Sequence, residues 1–133
     1  MKKLMFLTIA SLFLILGCAT TKVDPNAVTL DVDFSWTEAN RCSSKSPEIH
    51  VSGVPEGTKY FKVKLVDLDV PTWNHGGGTV ANDSSGVIPA GSLKSGYNGP
   101  CPPSGSHRYQ FTVKSVDGEG TIIGIGKKMQ KFP

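Results

Sequence analysis

Gly99-Pro100-Cys101-Pro102-Pro103-Ser104-Gly105-Ser106-His107-Arg108-Tyr109-Gln110-Phe111-Thr112-Val113 passes from a run crowded with proline, glycine and serine into strict alternation of apolar and polar residues. Tyr109, Phe111 and Val113 fall on one face, Gln110 and Thr112 on the other, and the pattern runs on to Val116. This period of two is the signature of a half-buried strand. Upstream, Tyr60 to Val66 sets Phe61, Val63 and Leu65 against Lys62 and Lys64, and Glu48 to Ser52 turns Ile49 and Val51 inward before the turn-like Pro55-Glu56-Gly57. Val28 to Phe34 reads as one strand, with Val28, Leu30, Val32 and Phe34 facing one way and Thr29, Asp31 and Asp33 the other. Downstream, Asp117-Gly118-Glu119-Gly120 turns the chain into Thr121 to Ile125 and a final strand through Phe132. Five or more short strands with turn signals between them, and no long helix-period stretch, predict an all-β fold of the sandwich type.

Between Gly76 and Gly105 the sequence is rich in glycine and proline, with room for only a brief strand near Gly78 to Ala81. A loop of that length in a compact domain usually carries function.

The 133 residues include a segment of different character. Met1-Lys2-Lys3 is a short basic start, and Leu4 to Leu16 is apolar except for Thr8 and Ser11. The run is shorter than the ~20 residues of a membrane span and has the size of a secretory hydrophobic region. It closes on Ile15-Leu16-Gly17-Cys18, which resembles the bacterial lipobox, where the peptide is cut before a cysteine that receives lipid. The expected organisation is a lipoprotein signal peptide at 1–17, a lipidated N-terminus and polar linker at 18–27, and one domain at 28–133. Multiple acylation of Cys18 holds a protein on a membrane stably, where a single chain holds it only marginally. Ala19, not Asp, follows Cys18, which in enteric-type sorting favours the outer membrane. The expected location is the bacterial cell envelope, lipid-anchored and facing the periplasm.

Without Lys2 and Lys3 the chain carries 12 basic residues against 11 acids. That balance offers no electrostatic basis for nucleic-acid binding. With Cys18 acylated, Cys42 and Cys101 remain as an even pair in an exported protein, where thiols oxidise. A bridge between them closes a loop of about 60 residues and stabilises by on the order of 4 kcal/mol. The competing reading makes Cys101 a nucleophile with His107 as its base.

Polar chemistry gathers at strand ends: Asp67-Leu68-Asp69 before Pro71, His75 six residues after Asp69, and His107 and Tyr109 at the start of a later strand. Residues at strand ends converge on one rim of a sandwich. As a metal site these ligands lack a tight His-x-x-x-His spacing. As a hydrolase, His75-Gly76-Gly77-Gly78 copies an esterase oxyanion motif, yet no Gly-x-Ser-x-Gly supplies the nucleophile. As an anion site, protonated histidines, the Tyr109 hydroxyl and backbone N–H groups of glycine-rich turns hold a phosphate, with carboxylates orienting the rings. In the plainest alternative the acids satisfy turn amides and the histidines lie on the surface.

The run from Gly99 to Val113 resembles the signature of the phosphatidylethanolamine-binding protein (PEBP) family, in its bacterial branch of Raf kinase inhibitor-like proteins. Ser46-Pro47-Glu48-Ile49, Ser52-Gly53-Val54-Pro55-Glu56-Gly57-Thr58-Lys59 and Asp67-Leu68-Asp69-Val70-Pro71 are similar to further segments of that family, and the likeness covers residues 28–132. It implies a PEBP-like β-sandwich with a small anion pocket at one end, taking phosphate or a phospholipid head group. By position, Asp67, His75, His107 and Tyr109 line the pocket, Gly99 and Pro100 form part of its wall, and Asp69 and Arg108 make a supporting ion pair. The resemblance also implies that Cys42 and Cys101 are bridged.

Three departures stand out. Leu68 takes the place of a proline between the two acids, Gly76-Gly77-Gly78 replaces a tryptophan and a hydrophobic strand after His75, and the family's C-terminal helical segment is missing, since Asp117 to Gly120 leads directly to Thr121. The expected molecule is a minimal member of the family. Its expected role is a non-catalytic, membrane-anchored module for a small phosphorylated anion or phospholipid head group, without cofactor or metal. The alternative is an envelope protein-protein interaction module whose pocket is vestigial, with a protein partner that the sequence does not name.

Overall fold

The computed structural model describes residues 20–133. The apolar run Leu4 to Leu16 and the lipidation site expected at Cys18 lie outside the described residues. Eight strands are formed: β1 Val23–Thr29, β2 Asp31–Phe34, β3 Ile49–Ser52, β4 Tyr60–Asp67, β5 Asn74–Ala81, β6 Val87–Ile88, β7 His107–Val116 and β8 Ile122–Phe132. The one helical element described is the 3-10 turn Glu38–Asn40. Strands β1-β8-β7-β4-β5 make a five-stranded sheet and β2-β3-β6 a three-stranded one.

The expected sandwich follows from the alternation. Phe61, Val63 and Leu65 of β4 and Tyr109, Phe111 and Val113 of β7 face Val32 and Phe34 of β2 and Ile49 and Val51 of β3, and each is at most 5% exposed. Phe34 and Phe111 meet edge to face at 4.9 Å across the gap between the sheets. Burying each such side chain contributes about 2 kcal/mol, which drives the two inner faces together.

The stretch Val28 to Phe34 is not one strand. The chain changes sheets at Leu30, whose N–H donates to the Ile125 carbonyl at 3.0 Å. β1 lies parallel to β8 at the sheet edge, while β2 pairs antiparallel with β3. Val28 therefore stays outside the core and is 42% exposed, against the inward position expected for it. Two glycines of β8 make the crossing possible. A Cβ on Gly124 would sit 2.9 Å from Leu30 Cδ2, and one on Gly126 would sit 2.5 Å from the Leu30 carbonyl oxygen. β1 also begins at Val23, so the second half of the stretch read as linker is strand, and Pro25 is accommodated because β1 is an edge.

The glycine-rich region is more ordered than a loop. β5 forms a full eight-residue strand against β4, and its outer edge is covered at Gly77, which exchanges hydrogen bonds with Ser95 at 3.2 and 2.9 Å. The glycine triplet is a steric requirement: a Cβ on Gly77 would lie 1.9 Å from the Val63 carbonyl oxygen, and one on Gly76 2.2 Å from that of Gly96. The following segment is pinned by Gly91 N–H to the Ser46 carbonyl, Gly99 N–H to the Ser43 carbonyl and Cys42 N–H to the Pro100 carbonyl. Cys42 and Cys101 are bridged, with Cα atoms 4.7 Å apart. Between β7 and β8 there is no helix. Asp117 Oδ1 accepts the N–H groups of Glu119 and Thr121 at 2.9 and 2.8 Å and closes the turn.

Candidate functional site

The same inward rows that build the core end in polar residues. Counting by twos along β4 from Phe61 leads to Asp67, and counting back along β7 from Phe111 leads through Tyr109 to His107. Asp67 is paired in register with Tyr109. His75, near the start of β5, joins them at the same end of the sheet. The structure thus brings all four side chains to one cavity of about 340 Å³, lined by Asp67, Val70, Trp73, His75, Cys101, Pro103, His107 and Tyr109.

Asp67 is the organising group. Its Oδ2 accepts a hydrogen bond from His107 Nδ1 at 2.7 Å, and its Oδ1 accepts the backbone N–H groups of Asp69 and Val70 at 2.8 and 3.0 Å. Burial pushes the Asp67 carboxyl up, but the bonds from His107, Asp69 and Val70 together outweigh it and hold the group below its ordinary value. His75 is buried, and its Nδ1 lies 2.7 Å from the Asn98 carbonyl oxygen, a contact in which the ring nitrogen must donate. Each imidazole is therefore oriented through Nδ1, and neither Nε2 has a protein partner among the described residues.

Tyr109 stands between the two rings, 5.3 Å from His75 edge to face and 6.3 Å from His107. It is fully buried, and its hydroxyl lies near Asp67 and the Cys101 backbone without a well-formed hydrogen bond to either. Burial, followed by the nearby Asp67 charge, pushes that hydroxyl up to about 12, so it is a donor and not a base.

The supporting ion pair is formed. Arg108 donates from Nη2 to Asp69 Oδ1 at 2.8 Å and from its backbone N–H to Asp69 Oδ2 at 2.7 Å. The guanidinium lowers the Asp69 carboxyl to about 2. Leu68 N–H donates to the Arg108 carbonyl at 2.7 Å, so the turn after β4 is tied to the start of β7 despite the missing proline.

Gly99 and Pro100 do not line the cavity. Both are buried behind it, and a Cβ on Gly99 would lie 2.3 Å from the Asn40 carbonyl oxygen, so their role is to let the segment before Cys101 press against residues 40–43. The wall itself is made by Cys101 and Pro103. Val70 and Trp73, 38% and 65% exposed, form the mouth and were missed from the sequence. An isolated tryptophan in the turn between two site-bearing strands was the signal for it.

The esterase-like reading of His75-Gly76-Gly77-Gly78 fails on geometry. The Gly76 N–H donates to Asn74 Oδ1 and the Gly77 N–H to the Ser95 carbonyl, so these groups do not form an oxyanion hole or an anion nest. Cys101 is bonded to Cys42 and offers no thiolate nucleophile. Among the described residues, no three His, Cys, Asp or Glu side chains are grouped to hold a metal ion.

The family model described as phosphatidylethanolamine-binding protein matches residues 20–131. The chain belongs to that family. Among its relatives, the UPF0098 protein YbcL of Escherichia coli strain K12 is 36% identical over 100 residues, which span 56% of this chain and 54% of that protein. YbhB of the same strain is 36% identical over 109 residues, spanning 61% of this chain and 65% of its own. The chain thus spans about half to two thirds of the length of these two relatives. A crystal structure from Chlamydia trachomatis, described as a PEBP homologue, superposes with a TM-score of 0.62 at 22% identity, covering 81% of this chain and 98% of that one. The crystal structure of E. coli YbcL gives 0.57 at 24% identity, covering 77% and 97%. At these identities the structures support the PEBP fold, and the nearly all-strand architecture agrees with it.

Proposed function

We propose that this PEBP-family chain is a non-catalytic binding module for a small phosphorylated anion or phospholipid head group, held at a bacterial envelope membrane through acylated Cys18. The observation that carries the ligand class is the convergence of His75, His107 and Tyr109 on one cavity, with each imidazole held through Nδ1 and its Nε2 left without a protein partner among the described residues. No lysine or arginine lines it, and Asp67 contributes negative charge. An anion therefore binds together with protons on the Nε2 atoms, which turns each ring into a charge-assisted donor. Asp67 keeps His107 in place and balances its charge. Val70, Trp73 and Pro103 give the organic part of a phosphoester an apolar wall, the composition usual for small-molecule sites.

The non-catalytic part rests on the inventory of the site. The one cysteine in the lining is bridged, and the Tyr109 hydroxyl is a weak nucleophile with its pKa near 12. The membrane part rests on the Leu4 to Cys18 pattern. Comparing membrane fractions of cells that carry the chain with those that carry Cys18→Ser tests it, since only the acylated form should stay with the membrane.

Calorimetry with inorganic phosphate and with phosphoethanolamine tests the ligand. Binding should weaken about tenfold or more in His107→Ala and vanish in His75→Ala/His107→Ala, because each lost bond is of the charged class. Wild-type protein that binds neither ligand, or a double variant that binds both unchanged, would overturn the reading.

A further inference from the structure

The outer face of the five-stranded sheet is a feature that the cavity does not use. Alternation turns Lys62 and Lys64 of β4, Lys114 of β7, and Lys127 and Lys131 of β8 away from the core. The register gathers them: Lys62 stands directly opposite Lys114, and Lys64 and Lys127 flank Thr112 on either side. A shallow groove of about 400 Å³ runs between Lys62, Lys64, Lys114 and Lys127. The lysine-bearing strands β4, β7 and β8 contain a single acid, Asp67, which faces inward, and the sheet's one other acid is Asp24 on the edge strand β1. The ion pairs of the described residues are Arg41 with Glu38, His50 with Glu48, His107 with Asp67, Arg108 with Asp69 and Lys128 with Asp33, so none involves these five lysines, although the Arg108–Asp69 pair lies at the end of the face beside Lys131.

Such a face works against stability, because like charges directly opposite each other on neighbouring strands repel. A chain with nearly balanced charge has gathered five lysines on one face with no salt bridge to any of them among the described residues. We infer that this face docks onto an anionic phospholipid surface.

Charge complementarity is the first reason. The second is shape: sheet strands side by side present a broad, shallow surface suited to a bilayer plane. The side chains are lysines, flexible point charges, where recognition of single phosphates in a defined geometry favours the arginine fork. Met129, 45% exposed between Lys127 and Lys131, adds apolar area to the same face. The third reason is continuity. β1 is the edge strand of this sheet, and its start at Val23 is five residues from Cys18, about 17 Å of extended chain. That third reason rests on the proposed acylation; the first two do not.

Residues 20–133 contain every described strand of both sheets, so the chain beginning at residue 18 with Cys18→Ser can be used without acyl groups, its fold checked by circular dichroism. Sedimentation with phosphatidylglycerol-phosphatidylcholine vesicles should capture it, and pure phosphatidylcholine vesicles should not. Capture should fall about fivefold for each face lysine changed to glutamine, and should be lost at high salt as the screening length shrinks. Lys62→Gln/Lys127→Gln should weaken capture strongly, while Lys45→Gln/Lys94→Gln, with the same change in net charge, should leave it nearly intact. Lys114→Gln should raise the thermal midpoint, since it relieves the repulsion with Lys62. Equal effects of the two double variants, or no capture by anionic vesicles, would overturn the inference. So would tighter binding to polyglutamate or DNA than to the vesicles at the same salt, which would assign the face to an acidic macromolecule. None of these outcomes depends on phosphate binding at His75 and His107.

Discussion

His107 donates from Nδ1 to Oδ2 of Asp67 across 2.7 Å, joining residues forty apart in sequence, and the other carboxylate oxygen is occupied by two backbone N–H groups of the turn that follows. One side chain thus sets the tautomer of an imidazole and the conformation of the cavity's lip. Val70, whose N–H is one of the two, is itself a lining residue.

Removing Asp67 should therefore cost both stability and ligand. Asp67→Ala is expected to destabilise by about 3 kcal/mol, since it leaves His107 without its buried partner and frees the turn amides. The pH dependence has a definite sign. The carboxyl is held below its ordinary value in the folded protein, so its contribution is complete above about pH 4 and is lost as pH falls through the lower folded value. Urea denaturation of wild type and Asp67→Asn should show a gap at pH 7 that closes in acid. An equal gap at both ends would contradict it.

The outer ion pair should behave differently. Asp69 titrates at about 2 beside Arg108, and its contribution is present above about pH 4 and disappears between there and about pH 2. The pair is exposed, so Asp69→Asn should lower the thermal midpoint only slightly at pH 7 and not at all near pH 2. A large loss at neutral pH would mean that the tie between the turn and β7 bears more of the fold than its exposure suggests.

Loss of the Cys42–Cys101 bridge removes a constraint across a sequence separation of 59 residues. Cys42→Ser/Cys101→Ser should lose about 4 kcal/mol in urea denaturation, mainly through the freer unfolded chain. Phosphate affinity should drop as well, because Cys101 and Pro103 form the wall. Stability that falls while affinity stays constant would show that backbone bonds such as Cys42 N–H to the Pro100 carbonyl hold the wall unaided.

Two glycines offer a matched comparison. Gly77→Ala would place Cβ 1.9 Å from a backbone oxygen that cannot move without breaking β4, so a loss above about 3 kcal/mol, or failure to fold, is expected. Gly120→Ala meets nothing within 4 Å and is opposed only by its φ of +82°, so about 1 kcal/mol is expected. Thermal melts of the two variants should differ accordingly, and similar midpoints would show that β5 can shift away from β4.

Strand alternation is a local property, because each residue's neighbours two places away already state which side is apolar. For that reason the inward rows of β3, β4 and β7, and the placing of Asp67, His107 and Tyr109 at the ends of two of them, could be read from sequence alone. The Gly99 to Val113 motif was legible for a related reason, since its spacing carries both a bridged cysteine and the polar end of a strand. Nonlocal contacts decided the remainder. Val28 alternates as though inward, yet the crossing at Leu30 depends on room left by glycines almost a hundred residues later. Gly76 to Gly78 offer free N–H groups in the linear chain, and only the approach of Ser95 and Val63 turns them into a tight strand. Whether Trp73 is core or rim, and whether five lysines share one face, is settled when distant strands fall into register, because hydrogen-bond pairing and burial choose among partners that no single segment specifies.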